Sequence, residues 1–192
     1  MKTVTMKKTL AILCTGMLLN CAQAAEYLGL DLGKASKEQV SQVLKAANAS
    51  FEDDYSYKGQ GSLASYKVQS YQRFDKFGEV KQAWLEFSPK GLLYRISVQY
   101  ADSGQTFKTL KDALDSKYGA ARKSGEGFNA EYAYRDGKTS VFLQRDTFGF
   151  GNDQKTTLIY VWTPMHAEVL KMKETIEANI RKNNANKAAG DL

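Results

Sequence analysis

Side chains that catalysis or metal binding would recruit are sparse in this 192-residue chain. It has one histidine, His166, and two cysteines, Cys14 and Cys21, both near the start. A zinc centre would have to be assembled from one imidazole and carboxylates, whereas such centres ordinarily draw on several Cys and His ligands. His166 therefore reads as a partly exposed residue at a helix start, and no metal or cofactor is expected. No serine stands in a Gly-x-Ser-x-Gly turn, and any triad would have to recruit His166. The densest acidic cluster is Glu52-Asp53-Asp54. A hydrolase using two acidic residues needs no local motif, since its carboxylates converge in space. At a loop or strand edge the same charges serve to discourage sheet-to-sheet pairing. The reading is a non-catalytic protein, with an acid-based hydrolase as the enzymatic alternative.

A different feature stands out in RDTFGFGNDQKTT, Arg145 to Thr157. A phosphate cradle would need a third glycine and a following helix, and strand-like residues follow instead. A calcium loop would need oxygen ligands at alternate positions, and Asp146, Asn152 and Asp153 are not so spaced. What remains is a hairpin connection of about ten residues, long beside the usual two to five. Its tip residues Phe148, Phe150, Asn152 and Asp153 are the candidate contact site for a partner, with the aromatics as anchors. The competing expectation is that both rings fold back and plug an open end of the sheet, because exposed aromatic patches are uncommon on soluble monomers.

The destination is written at the amino terminus. Lys2, Lys7 and Lys8 precede the apolar run Leu10–Leu19, and Ala22-Gln23-Ala24 supplies a small-x-small cleavage pattern. Residues 1–24 are thus expected to be a signal peptide, cut between Ala24 and Ala25. The run is shorter than the roughly 20 residues that span a bilayer, so no transmembrane segment is expected after processing. Leu18-Leu19-Asn20-Cys21 has the outline of a lipoprotein box, which leaves a lipid anchor at Cys21 as the disfavoured alternative. Cleavage after Ala24 would remove both cysteines, and with them any thiol nucleophile or disulfide. It would also remove three lysines and no acid, lowering the formal charge from +6 to +3. The remaining basic residues are scattered, whereas nucleic-acid binding needs concentrated charge. A periplasmic, exported bacterial protein follows, acting on another envelope protein and not on nucleic acid.

The elements that must carry these residues can be read in order. Ser36-Lys37-Glu38-Gln39 is a capping box, and Val40, Val43, Leu44 and Ala47 recur at helical spacing, predicting a helix over 37–47. Strand signals follow: a segment holding Tyr66, Val68 and Phe74, then Val80–Phe87, then Leu92–Tyr100. In the last run Leu92, Tyr94, Ile96, Val98 and Tyr100 share one face, opposite Leu93, Arg95, Ser97 and Gln99. Asp102 or Ser103 should cap a second helix carrying Phe107, Leu110 and Tyr118, closed by Gly119. Asn129–Arg135 and Lys138–Arg145 flank Asp136-Gly137, a strong hairpin signal. Thr157–Trp162 makes a further strand, and Pro164 opens a last helix lined by Met165, Val169, Met172, Ile176 and Ile180. Residues 183–192 are expected to fray. Most of the eleven tyrosines read as sheet-face packing with a wet hydroxyl end.

The order reads as two loose copies of one helix-plus-sheet unit. The expected fold is α+β: one domain over residues 25–182, in which an antiparallel sheet of meander and hairpins carries helices on one face. Gly33-Lys34-Ala35-Ser36 followed by Val40 and Leu44 resembles the helix opening of the SmpA/OmlA (BamE-like) assembly lipoproteins. Gly91-Leu92-Leu93-Tyr94-Arg95-Ile96 resembles that group's final strand, and the duplicated unit is similar in outline to the β-lactamase inhibitor protein fold. The resemblance implies a non-catalytic module that binds another protein through its sheet face or hairpin loops; it carries over no site residue. Inhibitor, immunity factor and assembly accessory all fit that description. The alternative is a binder of a small ligand or glycan in a pocket between helices and sheet.

Overall fold

The structure is a computed structural model that describes residues 26–56, 63–102, 104–125, 129–148 and 153–190. It opens with a two-stranded hairpin, β1 (Glu26–Tyr27) and β2 (Leu30–Asp31), followed by α1 (Lys37–Ala46). A meander comes next: β3 (Ser50–Ser56), β4 (Leu63–Ser70), β5 (Val80–Phe87) and β6 (Leu93–Ala101), with the short α2 (Gln72–Asp75) before β5. Then α3 (Gln105–Tyr118) leads into a second meander: β7 (Arg122–Ser124), β8 (Asn129–Asp136), β9 (Thr139–Asp146) and β10 (Lys155–Trp162). The chain closes with α4 (Thr163–Gly190). The two meanders form one eight-stranded antiparallel sheet in the order β3-β4-β5-β6-β10-β9-β8-β7. Each meander's last strand meets the other's at the centre, and each first strand is an edge. The fold is α+β, and the helix-plus-four-strand unit occurs twice.

Local chemistry explains where these elements begin. At α1, the Ser36 hydroxyl accepts from Gln39 N–H at 3.3 Å, and the Gln39 side-chain oxygen accepts from Ser36 N–H at 2.8 Å. This is the reciprocal cap the sequence predicts. The entry is also stitched to the start of β6: Gly33 N–H donates to Leu93 O at 2.7 Å, and Leu93 N–H to Ala35 O at 2.8 Å. Gly33 is held at a φ of +84°, and a Cβ there would come within 2.5 Å of the Trp162 indole. Only glycine fits that approach.

The α3 helix begins differently. Its first residue follows Gly104 at φ +93°, and the Asp102 carboxylate accepts from the Gly104 and Phe107 N–H groups at 2.7 and 3.4 Å. Ser103, the other expected cap, lies outside the described residues. Asp102 is buried and also takes a 2.9 Å ion-paired bond from the Arg145 guanidinium at the end of β9. Burial alone would raise its pKa; the donated hydrogen bonds outweigh that and hold it below the ordinary carboxylate range. One side chain thus ties the end of the first unit to the helix and sheet of the second.

The main core lies between the sheet and the helices α1 and α3. Val40 and Leu44 from α1, and Leu110 and Leu114 from α3, bury against Val68, Leu85, Ile96, Val98, Val141, Leu143 and Leu158. The sequence pattern predicts all helices on this face. The last helix instead crosses the opposite face, where Val169 buries with Leu63 and Tyr94, flanked by Met165 and Met172. A bulge at the start of β6 makes this possible. Glu86 pairs with Arg95 and Phe87 with Leu93, so Tyr94 is the extra residue. The inserted residue inverts the parity of the strand. Leu93 therefore joins Ile96 and Val98 in the main core, and Tyr94 turns to α4, the reverse of the expected alternation.

Two further expectations change. Phe74, read as a strand residue, is buried within α2, with Phe74 N–H bonded to Tyr71 O at 2.8 Å. And α4 continues helically to Gly190, past Lys182 where fraying was expected, although every side chain from 181 to 190 is exposed.

Candidate partner-binding face

On the face that α4 crosses, strand register lines up side chains in rungs. One rung runs Trp84–Ser97–Ile159–Phe142–Ala133 across β5, β6, β10, β9 and β8. The next runs Gln82–Gln99–Thr157–Gln144–Glu131–Ser124 from β5 to β7. An aromatic and aliphatic rung thus lies beside one of amides, hydroxyls and a carboxylate. Both cross the seam between the two units.

The fourth helix covers this face unevenly. Over the first unit it closes tightly, around a hub at Glu86. The Tyr94 hydroxyl donates to Glu86 Oε2 at 2.6 Å, Arg95 bonds the other oxygen, and Lys173 Nζ lies 3.6 Å away. Lys90 and Glu168 add a 3.2 Å pair at the β5–β6 turn. Over the second unit the helix only borders the face. His166, Val169, Leu170 and Lys173 wall a hollow of about 210 Å³, floored by Phe142, Gln144, Ile159 and Val161. A second hollow of about 380 Å³, lined by Gln99, Thr157, Asp146 and the same Glu131 and Gln144, adjoins it. The two form one trough along the open half of the sheet. Gln144 Nε2 donates to Glu131 Oε2 at 2.7 Å, fixing the polar floor.

Two exposed apolar residues belong to the elements that build the trough. Leu170, 45% exposed, stands on the helical wall, and Phe148, 77% exposed, lies just beyond Asp146. The Asp146 carboxylate accepts the Phe148 N–H at 2.9 Å and so fixes the backbone at the rim. Phe148 therefore does not plug the end of the sheet. Asp153 is exposed on the same connection. Phe150 and Asn152 lie outside the described residues, as do Ala24, Ala25 and Cys21.

Other candidates fall elsewhere. His166 is exposed at the start of α4, on the trough wall. Glu52-Asp53-Asp54 lies on the edge strand β3, where Glu52 and Asp53 pair with Lys67 and Lys37. Among the described residues no group of three His, Cys, Asp or Glu side chains could hold a metal ion. Among them, too, no helix is long and apolar enough to cross a membrane.

The sequence points to Phe148, two residues beyond Asp146 of the trough lining, and to none of the floor residues. A signal was present: Leu158-Ile159-Tyr160-Val161 and Val141-Phe142-Leu143 are unbroken apolar runs, as expected of strands with apolar contacts on both faces. Gln144, Glu131 and Thr157 carry no such mark, because their proximity comes from register alone. No protein-family model matches this chain, and no curated protein or solved structure matches it either.

Proposed function

We propose that this is an exported, non-catalytic envelope protein that binds another protein through the open half of its sheet. The observation that carries the reading is the trough over the second unit, which none of the described residues covers, with an apolar rung beside a hydrogen-bonding one, exposed Leu170 on its wall and exposed Phe148 two residues beyond Asp146. A buried apolar centre inside a polar, hydrogen-bonding rim is how protein interfaces are built. Aromatic anchors contribute most to such contacts. The likeness of the helix opening and final strand to the SmpA/OmlA group, and of the duplicated unit to the β-lactamase inhibitor protein fold, supports the same reading. So does the signal-like amino terminus. Inhibitor, immunity factor and assembly accessory are all activities such a face can perform.

The test is capture of an envelope protein by the purified chain, compared with the Phe148→Ala and Phe142→Ala variants. Both should weaken capture at least severalfold while the melting temperature stays close to that of the parent. Undiminished capture by the double variant would place the contact elsewhere and overturn the proposal.

A further inference from the structure

A sheet built from two units has four half-faces, and helices cover three of them. On the main-core side α1 lies over the first unit and α3 over the second; on the other side α4 lies over the first. Among the described residues no helix lies over the fourth, which is the floor of the trough. An apolar sheet face is ordinarily buried by a second packed layer, and the dimensions here match one helix. Strands stand about 4.8 Å apart, so β10 to β8 spans about 10 Å, the width of one helix with its side chains. From Ser140 to Asp146 the trough side of β9 runs for about 20 Å, the length of about 13 helical residues. Phe142 and Ile159 on the floor and exposed Leu170 on the wall give such a helix an apolar seat.

Charge differs between the two ends of this seat. At one end the rung Arg95–Val161–Ser140–Arg135 crosses the same face, and Arg122 of β7 stands beside Ala133. Arg122 and Arg135 are exposed and form no ion pair among the described residues. Arg95 and Lys173 share a single carboxylate, Glu86. At the other end the carboxylates of Glu131, Asp146 and exposed Asp153 meet one cation, Lys155, which lies opposite Asp146 in register. Arg145, on the same lining, is already paired with buried Asp102. The trough is therefore basic towards Arg135 and acidic towards Asp146, and complementary charge orients a partner on such a surface.

We propose that the trough is filled by an amphipathic helix of the partner, its apolar stripe on the sheet, with acidic residues towards Arg122 and Arg135 and basic ones towards Glu131 and Asp146. This inference rests on the reading of the open half-face as the contact surface and names the kind of segment that face accepts.

The probes are two synthetic peptides of one composition, each about 14 residues long, with glutamates at one end and lysines at the other. In the first, leucines recur at helical spacing; in the second they alternate, as a strand requires. Followed by chemical shifts of the full chain, the helical peptide should move the Phe142, Ile159 and Leu170 signals and bind at least about tenfold more tightly than the alternating one. Phe142→Ala should abolish that binding. Arg122→Glu and Asp153→Lys, both at exposed positions, should each weaken it about three- to tenfold at low salt and less at high salt. The proposal is overturned if the alternating peptide binds as tightly, if those signals do not move, or if the Phe142 or charge variants leave binding unchanged. Failure of both peptides, with capture of an envelope protein still dependent on Phe142, would refute the helix and leave the contact surface standing.

Discussion

The two helix-and-meander units share an order of elements and a helix-covered face, yet their second faces differ. Over the first unit, α4 lies across the sheet, buries Leu63 and Tyr94, and brings Lys173 to Glu86. Over the second unit the same helix supplies only a wall, and Phe142, Gln144 and Glu131 stay half-exposed on the floor of a trough. One unit's second face contributes to stability. The other's is left open by the described residues, with exposed Leu170 on its wall. Two units of one architecture thus differ in their second faces, because α4 packs across the first and only borders the second.

The largest stability loss is expected at Tyr94. Tyr94→Ala should cost about 3 kcal/mol or more in urea unfolding, since it removes a buried ring and leaves the charge hub at Glu86 short of a donor. Phe142→Ala, the aromatic truncation on the open half, should cost only about 1 kcal/mol for the same test, because its ring is half-exposed. Equal losses at the two sites would show both faces to be structural.

Next in size is the joint between the units. Asp102→Asn leaves Arg145 without its anionic partner and weakens the α3 cap, and should cost about 2–4 kcal/mol near neutral pH. The folded-state pKa of Asp102 is depressed, so its contribution is fully present above the unfolded carboxyl value of about 3.9 and is lost as pH falls below it. Wild type and variant should therefore converge in stability on acidification through that range. A difference that persists undiminished to low pH would contradict this assignment.

Smaller effects are expected at the open margins. Phe148→Ala should change stability by no more than about 0.5 kcal/mol, in contrast to its effect on partner capture. Smallest of all is removal of the chain after Arg181. Every residue from 181 to 190 is exposed, so the melting temperature should not move. A drop of several degrees would assign that helical extension a structural role.

Much of this frame is legible in the amino-acid sequence because it is set locally. The Ser36–Gln39 box, the Asp136–Gly137 hairpin and the proline-opened last helix each depend on a few neighbouring residues. The departures arise where distant contacts decide. The bulge at Tyr94 inverts only the start of β6, where Ile96, Val98 and Tyr100 keep the face their alternation predicts, and Tyr94 packs against α4, some seventy residues later. Phe74 caps the core as a helical turn because its backbone closes on Tyr71 and leaves the ring buried. Asp102 reads as a helix cap, and its second role requires Arg145, forty-three positions away. For the candidate site the same division holds. Phe148 is visible as an aromatic in a loop, whereas the Gln99–Thr157–Gln144–Glu131 rung exists only once four strands are in register.

The central claim is that the open face of the second unit is the contact surface. The most direct measurement places a photo-crosslinking residue at Gln144, within the trough, and separately at Val43, an exposed apolar position on α1 over the other face, in intact cells. The account predicts a discrete adduct with one envelope protein from position 144 and none from position 43. Adducts of equal yield from both, or from position 43 alone, would contradict it.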